Sequence, residues 1–262
     1  ALSVGLVPTM GALHRGHISL VEKAFDENNC VVVSIYVNPT QFNNLNDFEK
    51  YPVTQNKDKI LLNPFKRKVI IYAPDNNEIY PNGIEINFYN FGSLDQHMEG
   101  KFRENHFNGV ATVVETLFKI INPNKAYFGE KDFQQYQIIK SLVKQKKIKT
   151  KLILCPIVRE KDGLALSSRN KHLNSEQRNS ASLIYFTLQK IKKNYNHYDL
   201  REMEKIFTSE IEESGQLKVE YFCLASENVL TPILKKEKNK NYRIFVAVLA
   251  GQTRLIDNIK LD

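Results

Sequence analysis

The fold is decided by residues 4–20, which read Val4-Gly5-Leu6-Val7-Pro8-Thr9-Met10-Gly11-Ala12-Leu13-His14-Arg15-Gly16-His17-Ile18-Ser19-Leu20. A short apolar run stops at Pro8 and passes two glycines. Apolar residues then recur at helical spacing through Ile18, Leu20, Val21 and Phe25. This pattern predicts a strand, a tight turn and a helix. His14 and His17 stand three apart where the helix begins. They share one face, at the end where backbone N–H groups and the helix dipole favour anions. Glycines alone, or one histidine alone, serve ordinary strand-to-helix turns. Together they describe a turn built for phosphate.

Outward from that stretch, residues 30–37 form a nearly continuous β-branched run, as expected of a strand buried on both faces of a parallel sheet. It ends in Asn38-Pro39-Thr40-Gln41-Phe42, whose polar groups serve turn formation and capping or face a ligand at the strand's carboxyl end. Residues 58–62 read as a helix, 69–74 as a third strand and 83–91 as a hairpin or edge segment. A long helix follows, with Val110, Val113, Val114, Leu117, Phe118 and Ile121 on a broad apolar stripe. Asn122-Pro123 stops it.

Residues 125–128 form a fourth strand that runs into Gly129-Glu130-Lys131-Asp132-Phe133-Gln134-Gln135, a second polar, glycine-containing turn before a helix. In a doubly wound sheet of order 3-2-1-4-5, the strands ending at Pro8 and Phe128 are neighbours. Their turns then flank the crevice where the strand order reverses. A fifth strand spans 149–157. The loop after it carries Ser167-Ser168-Arg169, two hydroxyls and a guanidinium that suit a phosphate clamp or equally begin a helix. Helices at 175–193 and 200–213 and strands at 217–225, 243–250 and 254–258 complete the chain, the last two strands joined as a hairpin at Gly251-Gln252. The expected fold is α/β, a Rossmann-like doubly wound parallel sheet over residues 1–158 with a smaller C-terminal α+β domain over 159–262.

Composition reads as that of an ordinary soluble protein. The 262 residues are 42% hydrophobic and 25% charged, enough for a sizeable core. No apolar run approaches the ~18 residues of a membrane span. Cys30, Cys155 and Cys223 lie far apart in apolar runs, which favours buried free thiols and a cytoplasmic location over disulfides or metal ligands. The net charge of +8 is spread over both halves of the chain, so no basic stripe for nucleic acid is expected. Lysine clusters at 144–151 and 235–240 read as solvated faces or loop tips.

The spacing His14-x-Gly16-His17 directly after a strand resembles the signature of the nucleotidylyl transferase superfamily. Pro8-Thr9-Met10-Gly11-Ala12-Leu13-His14 is similar to the opening motif of the pantothenate synthetase family, and four further blocks occur in that family's order. These are Asn38-Pro39-Thr40-Gln41-Phe42, Tyr51-Pro52 with Asp58, Glu99-Gly100 through His106-Phe107-Asn108-Gly109-Val110, and Gly129 to Gln135 followed by Ser167-Ser168-Arg169. Val53, Glu104-Asn105, Phe133 and Leu166 stand where the family usually has arginine, Pro-Gly, tyrosine and methionine. The resemblance also implies a further segment ahead of Ala1.

It implies an ATP-dependent ligase in which the carboxylate of (R)-pantoate attacks the α-phosphorus of ATP. The amine of β-alanine then displaces AMP, giving pantothenate on the route to coenzyme A. By the same resemblance ATP is lined by Pro8, Thr9, Met10, Gly11, His14, His17, Gly129, Glu130, Lys131, Asp132, Val158, Leu166, Ser167, Ser168 and Arg169. His14, His17, Lys131, Ser167, Ser168 and Arg169 supply the catalytic charge stabilisation. Gln41 and Gln135 hold pantoate, with Met10, Val113 and Val114 around it, although core packing accounts for the valines equally well. Asp58 is a candidate ligand for Mg²⁺ or a favourable partner of a helix start. The family implies a homodimer and a second domain that closes over the first. The nearest alternative is an adenylyl transferase that leaves AMP on a phosphate ester.

Overall fold

The computed structural model describes residues 2–43, 48–233, 235, 237 and 240–261. The lysine cluster at 235–240 lies partly outside them. The chain divides into two compact units, Ala1–Asp95 with Glu99–Ile157, and Gln96–Met98 with Val158–Asp262.

The first unit is built on β1 (Val4–Thr9), β2 (Cys30–Ile35), β3 (Val69–Tyr72), β4 (Lys125–Gly129) and β5 (Lys151–Cys155). All pair in parallel, in the order β3-β2-β1-β4-β5. Both faces of this sheet are covered. On one side Val7, Val31 and Val33 pack with Leu20, Val21 and Ala24 of α1 (Arg15–Glu27). On the other, Leu6 and Val32 join Val110, Val114, Leu117, Ile138, Ile139 and Leu142. Those residues lie on α3 (His106–Ile121) and α4 (Phe133–Gln145), α2 being Gln55–Leu62. Burial of alternate residues on opposite faces is why the strands read as unbroken apolar runs.

Residues 83–91 form no strand. Their alternation arises from packing along a helix: Asn87 N donates to Thr112 Oγ1 at 3.0 Å, Tyr89 N to Asn108 Oδ1 at 3.0 Å, and the Tyr89 hydroxyl to Glu115 at 2.6 Å. Side chains of α3 thus take the place of a partner strand. The Glu104-Asn105 departure also finds a reason. Asn105 precedes α3 at φ 57°, in the left-handed region where asparagine is among the few tolerated alternatives to glycine.

The second unit carries α5 (Ser175–Lys193) and α6 (Leu200–Glu212) on an antiparallel sheet of β6 (Lys218–Ser226), β7 (Tyr242–Ala250) and β8 (Thr253–Lys260), in the order β6-β7-β8. Leu188, Met203, Phe207, Ile244 and Val246 form its core. The β7–β8 turn is Gly251-Gln252, with Gly251 at φ 59° and Ala250 paired to Thr253. Asn174–Gln177 and Asp199–Glu202 capping boxes start the two helices, each cap side chain and its partner three residues on satisfying one another's backbone N–H.

Candidate active site

Parallel pairing of β1 with both β2 and β4 brings the carboxyl ends of these three strands, and the turns that follow them, to one edge of the sheet. The first of these turns is satisfied almost entirely from within. Thr9 Oγ1 donates to Ser34 O at 2.7 Å and accepts from Gly11 N at 3.1 Å. Gly11 and Ala12 follow at φ 79° and 49°, two successive left-handed residues. Such a bend turns consecutive N–H groups inward into an anion-binding concavity. Here its anion is a side chain: Asp58, only 1% exposed, accepts from Ala12 N at 3.0 Å and Leu13 N at 2.9 Å, and from Thr54 Oγ1 at 3.0 Å.

Asp58 thus holds the turn in this arrangement, Oδ1 taking two donors and Oδ2 one. A cavity of about 120 Å³ opens beside it, lined in part by Met10, Gly11, Tyr36, Val53 and Thr54.

The histidines are tied in a related way. His14 Nδ1 accepts from Gly16 N at 3.1 Å, and His17 Nδ1 accepts from His14 N at 3.3 Å. The pair thus forms the capping box of α1, a role usually filled by a hydroxyl or carboxylate and a glutamate. The expected anion site on bare N–H groups of the helix start is changed accordingly, since the rings themselves take up those donors. With Nδ1 accepting, each neutral ring carries its proton on Nε2. The rings lie 4.1 Å apart between centroids. Desolvation, then the neighbouring His14, then Lys131, push His17 down from 6.5 to about 3. His17 is thus a neutral hydrogen-bond donor at physiological pH, and not the cation a phosphate site first suggests.

The turn after β4 is different. Lys131 lies 3.3 Å from the Asp132 carboxylate and close enough to His17 to shift its titration. Gly129 sits at an ordinary φ of −78°, and a Cβ there would meet nothing within 4 Å. Neither backbone conformation nor packing demands this glycine. Gln135 is half-buried in the first turn of α4.

The turn after β2 is a dense amide network. Gln41 Oε1 accepts from Asn38 Nδ2 at 3.2 Å, and Gln41 Nε2 reaches Met10 Sδ at 2.8 Å, joining this turn to the first. Asn38, 1% exposed, also donates to Gly109 O at 3.1 Å and accepts from the Tyr80 hydroxyl at 2.6 Å. The Gln41 carbonyl is held by Arg103 Nη2 at 3.2 Å and His106 Nδ1 at 2.8 Å. A Cβ at Gly109 would fall 2.4 Å from Thr40 O, so only glycine lets α3 approach so closely. Asn38, Tyr80, Arg103 and His106 escaped assignment from the sequence as supports of Gln41. Only the Asn-Pro turn and the position of His106 at a helix start hinted at them. Val113 and Val114 are buried in the apolar cluster between α3 and the sheet.

In the second unit, Ser167 Oγ accepts from Arg169 N at 3.3 Å and caps a short helical turn, Ser168–His172. Leu166 N bonds to Val158 O at 3.0 Å, closing a small hairpin ahead of that turn.

Polar turns at the switch point of a doubly wound parallel sheet place the chain in the class of α/β proteins that bind their ligands at that edge. The chain belongs to the pantoate–β-alanine ligase family, whose model matches residues 1–260. It is 45% identical over 259 residues to a pantothenate synthetase of Flavobacterium psychrophilum, covering 99% of this chain and 92% of that protein. It is 48% identical over 257 residues to one of Azobacteroides pseudotrichonymphae, covering 98% and 91%. Among solved structures it resembles the pantothenate synthetase of Thermus thermophilus, with TM-score 0.91 and 36% identity over 99% of this chain and 93% of that one. It also resembles the Francisella tularensis pantoate–β-alanine ligase complexed with β,γ-ATP and β-alanine, with TM-score 0.83 and 41% identity over 99% and 90%.

Proposed function

We propose that this enzyme joins (R)-pantoate to β-alanine at the expense of ATP, through a pantoyl adenylate, releasing AMP and pyrophosphate. The observation that supports it best is that one stretch, Thr9 to His17, joins the amide network of the neighbouring turn through Met10 and Gln41 and brings His17 within electrostatic reach of Lys131. A hydroxy acid and a polyphosphate need such neighbours.

In the first step a pantoate carboxylate oxygen bonds to the α-phosphorus while the bond to the bridging oxygen breaks, and pyrophosphate leaves with its electron pair. The nucleophile is already ionised at neutral pH, so this step calls for alignment and charge stabilisation and no base. Gln41 and Gln135 hold pantoate through amide hydrogen bonds. His14 and His17 donate from Nε2 to phosphate oxygens, and Lys131 supplies the positive charge. Gly129 lets main chain approach the nucleotide, and Asp132 accepts from ribose hydroxyls. Ser167, Ser168 and Arg169 bind phosphate. In the second step the neutral amine of β-alanine attacks the acyl carbon, AMP leaves with the electrons of the C–O bond, and the amine proton passes to solvent.

Mg²⁺ enters this reading as the counter-ion of the triphosphate, whose negative charge it would offset. The exposed Ile70 on edge strand β3 offers a sheet edge to a second copy, in line with a homodimer. Three unpaired cysteines, with Cys155 pushed up to about 11 and Cys223 to about 12 by burial, suit a reducing cytoplasm. No helix among the described residues is long and apolar enough to cross a membrane.

Product analysis after incubation with ATP, pantoate and β-alanine tests the proposal. Equimolar pantothenate, AMP and pyrophosphate are expected. A stable AMP conjugate formed on a phosphate ester, with no pantothenate, would replace it with adenylyl transfer.

A further inference from the structure

The hairpin ahead of Ser167 is fastened to its unit through one guanidinium. Arg159 Nη1 and Nη2 donate to Asp257 Oδ2 and Oδ1 of β8 at 2.6 and 2.9 Å, a bidentate pair in which Asp257 is only 3% exposed. Arg159 Nη1 also donates to Gly163 O at 3.1 Å, across the hairpin itself. The same guanidinium lies 3.8 Å from the ring centroid of Tyr185 on α5. Gly163, at φ 92°, must be glycine, since a Cβ there would fall 2.4 Å from Tyr185 Cδ1.

The hairpin closes through an Arg159–Ala165 bridge, with Glu160 N bonded to Leu164 O at 2.8 Å. Ala165 O then accepts from Asn170 Nδ2 at 3.0 Å, which ties the hairpin to the helical turn that bears Ser168 and Arg169. A bidentate, partly buried arginine pair stacked on an aromatic ring has the fixed geometry that exposed ion pairs lack.

We propose that Arg159, through Asp257 and Tyr185, is a positioning residue that sets the orientation of Ser167, Ser168 and Arg169 toward phosphate. The fork of Arg159 is taken up by Asp257 and the Gly163 carbonyl, so it acts through the clamp. The proposal rests on the reading of these three residues as phosphate ligands. Leu164 packs the hairpin tip among the core residues of the unit.

The test is pyrophosphate–ATP exchange by Arg159→Lys and Asp257→Asn, with Michaelis constants for ATP and pantoate and a melting curve for each. Arg159→Lys keeps the charge and loses the fork. Misplacing a phosphate ligand by about 1 Å is expected to cost about 10- to 100-fold in exchange rate and to raise the ATP constant, with the pantoate constant unchanged. Folded variants with normal ATP constants and only a lowered melting temperature overturn the proposal. If either variant fails to fold, Tyr185→Leu, which removes the stack together with the hydroxyl that accepts from Gln189, is read in its place by the same criteria. Arg169→Ala reads the clamp separately: unchanged ATP constants there overturn the phosphate role itself. A large effect of Arg169→Ala with none in the Arg159 and Asp257 variants overturns only the positioning role.

Discussion

The turns after β1 and β4 occupy neighbouring strands of one sheet, and both look like phosphate loops in the sequence. They are built oppositely. In the first, Asp58, Thr9 and the Nδ1 atoms of both histidines satisfy the backbone, and the glycine at 11 is required by its left-handed φ. In the second, Gly129 needs neither a special φ nor space within the fold, and Lys131 and Asp132 contact each other near the surface. Polar residues in a motif are thus of two kinds. Asp58, Thr9 and the histidine Nδ1 atoms hold the turn through bonds within the protein, whereas Lys131 and Asp132 are the residues we propose to answer to a ligand.

The comparison is tested most severely by Lys131→Ala. By analogy with lost transition-state donors, exchange of pyrophosphate into ATP should fall about 10²- to 10³-fold with an unchanged melting curve. A matching loss of stability would place Lys131 with the turn-holding residues. Asp58→Asn should do the reverse. Turning an amide NH₂ toward one of the two buried N–H groups leaves that donor unmet, at a cost of about 1–3 kcal/mol in urea unfolding. A dependence of its rate on Mg²⁺ concentration, with normal stability, would make Asp58 a metal ligand. In the same turn Gly11→Ala should cost about 1–2 kcal/mol through its left-handed φ.

His17 makes the comparison sensitive to pH. Its folded value, about 3, lies below the ordinary 6.5, so the unfolded chain binds a proton that the native one does not. Its contribution to stability is therefore fully present above pH 6.5 and is lost as pH falls toward 3, with a slope of at most about 1.4 kcal/mol per pH unit. His17→Gln keeps an acceptor for His14 N and should flatten that slope; an unaltered slope would mean that His17 titrates normally. The smallest effect on the fold is expected from Gly129→Ala, which should leave stability the same or raise it by about 0.4–1 kcal/mol while raising the ATP constant. Unchanged ATP binding would remove the ligand from the explanation of Gly129.

The strands of the parallel sheet and the helices between them were legible because apolar runs, glycine turns and Asn122-Pro123 are local signals, whereas the strand order came with the doubly wound pattern and from no local signal. Residues 83–91 misled because their period of two reflects contact with α3, which alternation alone cannot distinguish from strand pairing. The site was legible as motifs but not as roles. Nothing local in the sequence tells that Asp58 reaches back 46 and 45 residues to Ala12 and Leu13, or that His106 and Arg103 converge on the carbonyl of Gln41. Such partners are set by tertiary packing, and only the fold brings them together.

The most direct measurement is exchange of labelled pyrophosphate into ATP by the folded protein with Mg²⁺, with and without pantoate. Exchange that requires pantoate, with AMP released once β-alanine is added, is the predicted result. Exchange that proceeds equally without pantoate, or none from protein that binds ATP, would contradict the adenylate mechanism on which the roles of Gln41, His17 and Lys131 depend.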